Sequence, residues 1–473
     1  MQLGKYINRD SFYRNGGYCE IWKIAYPLII MGASYIILTL TDRMLLAWHS
    51  TLEMAASVPA GGLNFSLFSF YSVTIGFTSA LVAQYFGAED KLNCVHSAWG
   101  AIYLSWIFSA IILLVNIPLG RWIILNSGHD AALAELELKF FYSLQPSSCF
   151  ACMSAALFGF FSGTGRTKII AKVNTTMCLL NIGIDYILIY GIQGIIPSLG
   201  IVGAGLATSL CSTFGCAWAW FEFLKENQQE FPTRREKNFD LEKIKKIIVF
   251  GSPSGLQVLL GSGGFTVFQF MIGYIGNEAI TASSILITLN NLAFAPILGF
   301  CDATTILSGQ YIGRDEKNVA EGVVYSSMRM LIPYITSLGI LYIFFGDFLI
   351  GVFNAINPAS DAVIKVNFSE AAKIAKTLMV MAAFTNILDA VRFIFMGGLR
   401  GAGDTKAILY IIGLSSCLVM IPGVTILARV YHQGILVLWG FCVFYLLLLS
   451  ALMFWRYRSG AWKKIDMIKK RGV

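Results

Sequence analysis

Apolar runs of about 20 to 30 residues recur along the whole chain, each long enough to cross about 30 Å of hydrocarbon as a helix. A backbone in lipid must satisfy its own hydrogen bonds, so runs of this kind allow only helices or a closed barrel. Barrel strands would read as shorter segments of alternating polarity, and none is present. The runs predict twelve spanning helices, near 23–47, 60–86, 94–118, 138–161, 170–191, 200–224, 244–274, 281–312, 319–345, 374–398, 407–428 and 433–457. Composition agrees: 56% of the residues are hydrophobic and 13% charged, against about 25% charged in a soluble domain. A water-soluble globular protein, a collagen, a disordered chain and a disulfide scaffold are all excluded.

The formal net charge of +8 would suit a nucleic-acid partner, but its placement points to lipid topology instead. Loops on one side carry Lys5, Arg9, Arg14, Lys23, Lys91, Arg166, Lys168, Lys172, a dense group from Lys225 to Lys246, Arg314, Lys317, Arg400, Lys406 and a basic tail. The opposite loops hold only Arg121, Lys139, Lys365, Lys373, Lys376 and Arg429. This asymmetry places both termini in the cytoplasm and makes the chain a multi-pass protein of the cell membrane, the inner membrane if the source is bacterial. The polar, charged opening MQLGKYINRDSFYRNGGYCE does not read as a cleavable signal peptide. The expected surroundings are the bilayer and small molecules, with no nucleic acid.

One long charged stretch lies near the middle, KENQQEFPTRREKNFDLEK from Lys225 to Lys243, and reads as a cytoplasmic linker. It divides the chain into residues 1–224 with the first six spans, the linker 225–243, and residues 244–473 with the last six and a basic tail. The halves resemble each other. ALVAQYFGAEDK (80–91) matches TILSGQYIGRDEK (305–317), Pro27 and Pro253 share an offset, and SGTGRTK (162–168) matches RGAGDTK (400–406). The second copy is about a dozen residues longer, assigned to an outer loop around Asn354–Ser369. An even number of spans per copy sends both copies into the bilayer in the same direction, as parallel repeats. The fold class is therefore all-α integral membrane, two parallel six-helix lobes around a central cavity that serves as the substrate path.

These motifs, in this order, resemble the multidrug and toxic compound extrusion (MATE) transporters over essentially the whole chain. The resemblance rests on Pro27 followed by Asp42, ALVAQYFGAED, SGTGRTK, LNIGIDYILI with GIIPSLGIVGAGLAT (180–208), ILSGQYIG, and LDAVRFIFMGGLRGAGDTK (388–406). It implies secondary active export of amphipathic, often cationic, organic compounds, driven by inward protons or sodium ions. Protons are the expected coupling ion here, with no cofactor, and the chain is expected to act as a monomer.

A carboxylate at the bilayer centre costs about 2.5–3.5 kcal/mol on insertion scales, so acids inside spans are functional candidates. Asp42 in the first span and Asp185 in the fifth each lie about six residues before the outer end, roughly 9 Å deep. Asn181 is one turn below Asp185, and Thr208 in the sixth span descends to a similar level. Two acids with amide and hydroxyl partners in low dielectric make a proton-carrying group, or else simply join neighbouring helices. The family resemblance implies cation coupling at Asp42, Asp185, Asn181 and Thr208. It also implies a bending point at Pro27, where an ordinary helix-start or kink proline is the alternative. Arg43 adjoins Asp42 in sequence but points about 100° away and is expected to snorkel outward.

In the other half, Asp389 stands where the sodium-coupled branch of the family keeps an acid, but the glutamate partner of that branch falls on Gly261. Arg392 lies one turn from Asp389, and Asp302 in the eighth span is at a similar depth. An Asp302–Arg392–Asp389 cluster is expected, either as structural pairing or as a gate, and it argues against tight sodium binding there. Gln84, Gln310 and the glycine turns at 163–165 and 401–403 recur in both halves, which suits turn geometry better than substrate contact. The ten cysteines, including the Cys149-x-x-Cys152 pair, read as small hydrophobes, and the four scattered histidines build no metal site. A lipid-linked saccharide flippase is the alternative function, disfavoured because only Arg43, Arg329 and Arg392 fall inside spans. A membrane-embedded enzyme would need a metal or nucleophile cluster, and none is visible in the sequence.

Overall fold

A computed structural model describes residues 12, 14–226, 228–356 and 368–468. Within them, eleven helices are long and apolar enough to cross a bilayer, and the bent pair Asn277–Asn291 and Ala293–Gly313 makes a twelfth if counted as one span. In chain order they are α1 (Tyr18–His49), α2 (Thr51–Gly87), α3 (Lys91–Leu125), α4 (Ala131–Gly163), α5 (Thr167–Tyr190), α6 (Gly200–Lys225) and α7 (Leu241–Gly273). They continue with α8 (Asn277–Gly313), α9 (Lys317–Phe344), α10 (Glu370–Gly401), α11 (Thr405–Arg429) and α12 (Ile435–Arg458). No strand occurs among the described residues; Ile192 and Ile196 form an isolated bridge in the α5–α6 turn. Most of the insertion expected around Asn354–Ser369 lies outside the described residues.

Prolines account for the irregular turns. Pro296 cannot donate to the carbonyl of residue 292 and crowds it, so α8 bends by 43° at that point. In α3 and α11 the helix instead widens by one residue. Pro118 and Pro422 follow π-helical turns at Ile112–Asn116 and Ser416–Met420, where Ile117 N–H reaches the Ile112 carbonyl and Ile421 N–H the Ser416 carbonyl. Pro27, by contrast, is buried inside the continuous helix α1.

The chain divides into two compact units. The amino-terminal unit comprises the described residues of Tyr26–Leu256, Gly309–Glu316 and Asp466–Val473; the carboxyl-terminal unit comprises those of Met1–Ala25, Gln257–Ser308 and Lys317–Ile465. The changeovers inside α1 and α7 therefore lie within a turn or so of Pro27 and Pro253.

In the amino-terminal unit the stretch between α6 and α7 is a packed strap. Phe231 and Thr233 are completely buried. Trp99 Nε1 donates to the Thr233 carbonyl at 3.0 Å, and Thr233 Oγ1 donates to the Phe223 carbonyl at 2.9 Å. Phe231 packs edge-on against Phe160 with ring centroids 5.4 Å apart, under the guanidinium of Arg166 at 4.8 Å. Arg166 also pairs with Glu226, while Lys91 bonds Glu230 at 2.9 Å. The Lys91 bond holds the half-buried Glu230 carboxyl below its ordinary range.

Candidate functional site

Helices α1 and α5 run side by side in the same direction, joined rung by rung. Ser34 Oγ lies 3.3 Å from Thr175 Oγ1, the Cys178 thiol reaches the Leu38 backbone, and Tyr190 Oη donates to the Leu45 carbonyl at 2.9 Å. This ladder sets Asp42 opposite Asp185. The two carboxyls are direct neighbours. Glycines bring α6 in behind them: a Cβ on Gly203 would stand 2.6 Å from the Leu188 carbonyl carbon, so this position on α6 must stay bare for α5 and α6 to touch backbone to backbone. The contact places the Cys211 thiol of α6 beside Asn181 and Asp185.

Asp185 and Asn181 are 0% exposed, and Asp42 is half-buried. Asp42 Oδ1, both Asp185 oxygens and both Asn181 amide atoms are buried without a hydrogen-bond partner. Buried polar atoms in proteins are nearly always satisfied, so five such atoms in one place make this group the candidate site. Two facing carboxyls supply only acceptors until one of them takes a proton or a cation lies between them. The set of oxygens fits either ligand. Thr208 is one turn before Cys211, but its hydroxyl donates to the Ala204 carbonyl at 3.1 Å within its own helix. Tyr35, two turns below Asp42 on the same face, lies within electrostatic reach of it. Towards the outer end, Leu45, Leu46, Ala56, Ile189 and Ile201 form an apolar cluster.

In the carboxyl-terminal unit the expected three-residue cluster separates into two pairs. Arg392 Nε donates to Asp389 Oδ1 at 2.9 Å, one turn apart on α10, with both side chains largely buried. Asp302 instead faces Arg400, at 3.8 Å. Arg400 is two turns further along α10 than Arg392, about 12 Å by helical rise, and it is the guanidinium that Asp302 of α8 meets. The Asp389–Arg392 pair adjoins the Cys442 thiol and Tyr445, whose hydroxyl is 2.8 Å from Ser416 Oγ. Asn386, one turn before Asp389, is 1% exposed with both amide atoms unpartnered. Gly261 faces an apolar neighbour: a Cβ there would stand 3.5 Å from Ile412.

The recurring motifs build inner turns. Glu89 and Asp315 occupy matched positions with positive φ of 58° and 69°, followed by Asp90 N–H to Tyr85 carbonyl (2.9 Å) and Glu316 N–H to Tyr311 carbonyl (2.8 Å). Gly165 and Gly403 do the same with φ of 77° and 85°, which is why glycine recurs there. The two QYxG segments meet each other. A Cβ on Gly87 would stand 2.7 Å from the Gln310 carbonyl carbon, and one on Gly313 2.9 Å from the Gln84 carbonyl carbon. Gln310 Nε2 also donates to the Gly163 carbonyl at 2.8 Å.

Two features escaped the sequence reading. Lys243, counted as a loop cation, is buried with Nζ 2.7 Å from Tyr85 Oη and 4.2 Å from its ring centroid. Its spacing from Glu242 and Lys246 gives no hint of this, because the partner lies more than 150 residues away. The strap was legible only as charge, although Phe231-Pro232 inside it is an apolar interruption of the kind that marks a docked segment.

A protein-family model described as MatE matches residues 27–187 and 253–426. A protein of Photorhabdus laumondii named "Probable multidrug resistance protein NorM" is 24% identical over 391 residues, covering 82% of each chain. One of the same name from Thermotoga maritima is 25% identical over 469 residues, covering 96% of this chain and 95% of that one. Among solved structures, the outward-facing conformation of a multidrug resistance MATE family transporter of the MOP superfamily superposes with a TM-score of 0.82 at 19% identity. That match covers 94% of this chain and 96% of the other.

Proposed function

Because the chain belongs to the MatE family, multi-pass membrane transporters rather than enzymes, we propose that it exports amphipathic, cationic organic compounds in exchange for inward protons. Multidrug export is what the names of its relatives suggest. The observation that carries proton coupling is the buried group of Asp42, Asp185 and Asn181, five of whose polar atoms lack a partner. One proton shared between the facing carboxyls gives the pair a donor and removes one charge from low dielectric. A substrate cation and a proton then compete for the same negative charge, which is the simplest basis for exchange. In the carboxyl-terminal unit Arg392 already supplies a cation to Asp389, which favours protons over sodium as the coupling ion.

The strong excess of Lys and Arg in alternate loops supports a cytoplasmic location for both termini of a protein of the cell membrane, the inner membrane if the source is bacterial. The transporter works as a monomer and without a cofactor in this reading. Purified protein in liposomes, with proton and sodium gradients imposed separately, tests the proposal. Asp42→Asn and Asp185→Asn should each abolish proton-driven export of an organic-cation dye while leaving membrane expression intact. Wild-type export rates in both variants would refute the assignment.

A further inference from the structure

The two ion pairs of the carboxyl-terminal unit are built differently. Asp389 and Arg392 are hydrogen-bonded at 2.9 Å with both side chains largely buried, whereas Asp302 and Arg400 approach only to 3.8 Å. That separation is too long for a hydrogen bond. The other contacts of the Arg400 guanidinium are no stronger: Nη2 lies 4.0 Å from the Met396 sulfur, a weak acceptor, and Nε is buried without a partner. Asp302 and Arg400 attract each other, but the acceptors of the one and the donors of the other stay open.

Their positions along the helices sharpen the contrast. Helices α8 and α10, both even-numbered spans and so parallel, touch where Thr305 Oγ1 donates to the Gly397 carbonyl at 3.1 Å. Asp302 is three residues before Thr305 and Arg400 three beyond Gly397, so their backbones differ by about 9 Å in level. An arginine in the last turn of a spanning helix ordinarily snorkels towards the headgroups. Arg400 instead reaches back along α10 to Asp302. Asp302 lies eleven residues before the end of α8 at Gly313, about 16 Å by helical rise, and yet its side chain is 44% exposed. A carboxylate at that depth does not border lipid chains; it opens on the interior of its helix bundle. Its neighbours Cys301 and Ala303 are buried, so the opening is confined to one side of α8.

We infer that Asp302 receives the positive group of the organic cation in the carboxyl-terminal unit, at a subsite separate from Asp42 and Asp185, and that Arg400 is the internal cation which the substrate displaces. An entering cation takes the open acceptors of Asp302. The guanidinium, which gives up no hydrogen bond to oxygen, swings back to the level that its place in the last turn favours. Arg392 has no such exit, being bonded to Asp389 and only 15% exposed. The subsite rests on the reading of the substrate as an organic cation and is independent of proton coupling.

Equilibrium binding of rhodamine 6G, an organic cation, to the full-length protein in lipid nanodiscs tests both residues. Asp302→Asn should raise the dissociation constant at least about tenfold, and Arg400→Gln should lower it at least about threefold because the competitor is gone. With both substitutions the constant should match that of Asp302→Asn, since Arg400 acts only through the charge it covers. Asp302→Glu, which keeps the carboxylate, should bind at least about threefold tighter than Asp302→Asn, which separates loss of charge from loss of fold. Arg400→Lys, which keeps the competing charge, should bind no tighter than wild type. Unchanged or weaker binding in Arg400→Gln is what a merely structural pair gives, and it overturns the assignment; so does wild-type binding by Asp302→Asn. No saturable binding to wild type overturns the organic-cation reading and the subsite with it. Wild-type export by Asp42→Asn refutes the proton-coupling role alone and leaves the binding result standing.

Discussion

Asp389→Asn should destabilise the protein strongly while leaving its ion preference alone. The Asp389 and Arg392 side chains are 7% and 15% exposed, so neither charge is screened by much water. Removing one member of a buried pair costs about 3–5 kcal/mol, because the other is left charged and unmatched. A guanidinium has no neutral form to retreat to, since it keeps its proton throughout the working range of proteins. The asparagine oxygen still accepts one hydrogen bond in place of the Asp389 Oδ1 contact at 2.9 Å. The expected loss is therefore near the lower bound, about 3 kcal/mol, and Asp389→Ala should approach the upper one. Adding Arg392→Gln removes the stranded charge, so the double variant should return to within about 1 kcal/mol of wild type, a coupling of about 2 kcal/mol or more. Denaturant or thermal unfolding of wild type, Asp389→Asn, Arg392→Gln and the double variant in one detergent, with and without sodium at fixed pH, measures the cycle. Strictly additive losses, or a wild-type sodium stimulation of transport that disappears with Asp389, would refute the reasoning and place an ion site in this unit.

Gly87→Ala and Gly313→Ala should each cost about 1–3 kcal/mol or more, because the new methyl meets backbone that has no rotamer to change. Their double variant should cost clearly less than the sum, since one displacement relieves both clashes; additive unfolding free energies would contradict a shared contact. Phe231→Ala empties a fully buried ring site under Arg166 and should cost about 3–5 kcal/mol. It should also open the chain near residues 228–240 to limited proteolysis; unchanged cleavage would show the strap to be held by its ion pairs alone.

The spans were legible because lipid leaves hydropathy as nearly the only determinant of where a helix runs, and the predicted 200–224 differs from α6 by a single residue. Helix ends were less legible. The predicted start at 138 cuts seven residues from α4, since Ala131–Leu138 carries Glu135 and Glu137 and so reads as loop, although Glu137 is buried against His129. Depth counting along single helices was enough to bring Asp42 and Asp185 to one level. It failed for Asp302, because depth does not say which side of a helix faces which neighbour, and a difference of two turns along α10 decided the partner. Side-chain choices with a local competitor were also beyond reach. Thr208 satisfies itself on the Ala204 carbonyl, an option open to any threonine in a helix.

The crossing of Gly87 and Gly313 makes the QYxG segment its own mate. Each copy presents a bare glycine to the other and receives the carbonyl of the other's glutamine, so lock and key are one sequence used twice. This is the geometry of an isologous interface, the kind that joins two identical subunits about a twofold axis. A lone six-helix ancestor would have carried everything needed to grip a second molecule of itself at this point. Once both copies lie in one chain, their sequences are free to drift apart elsewhere, as Asp42 has no matching acid at the equivalent Phe268. At the crossing they are not, because any bulk added to one copy is felt by the backbone of its twin.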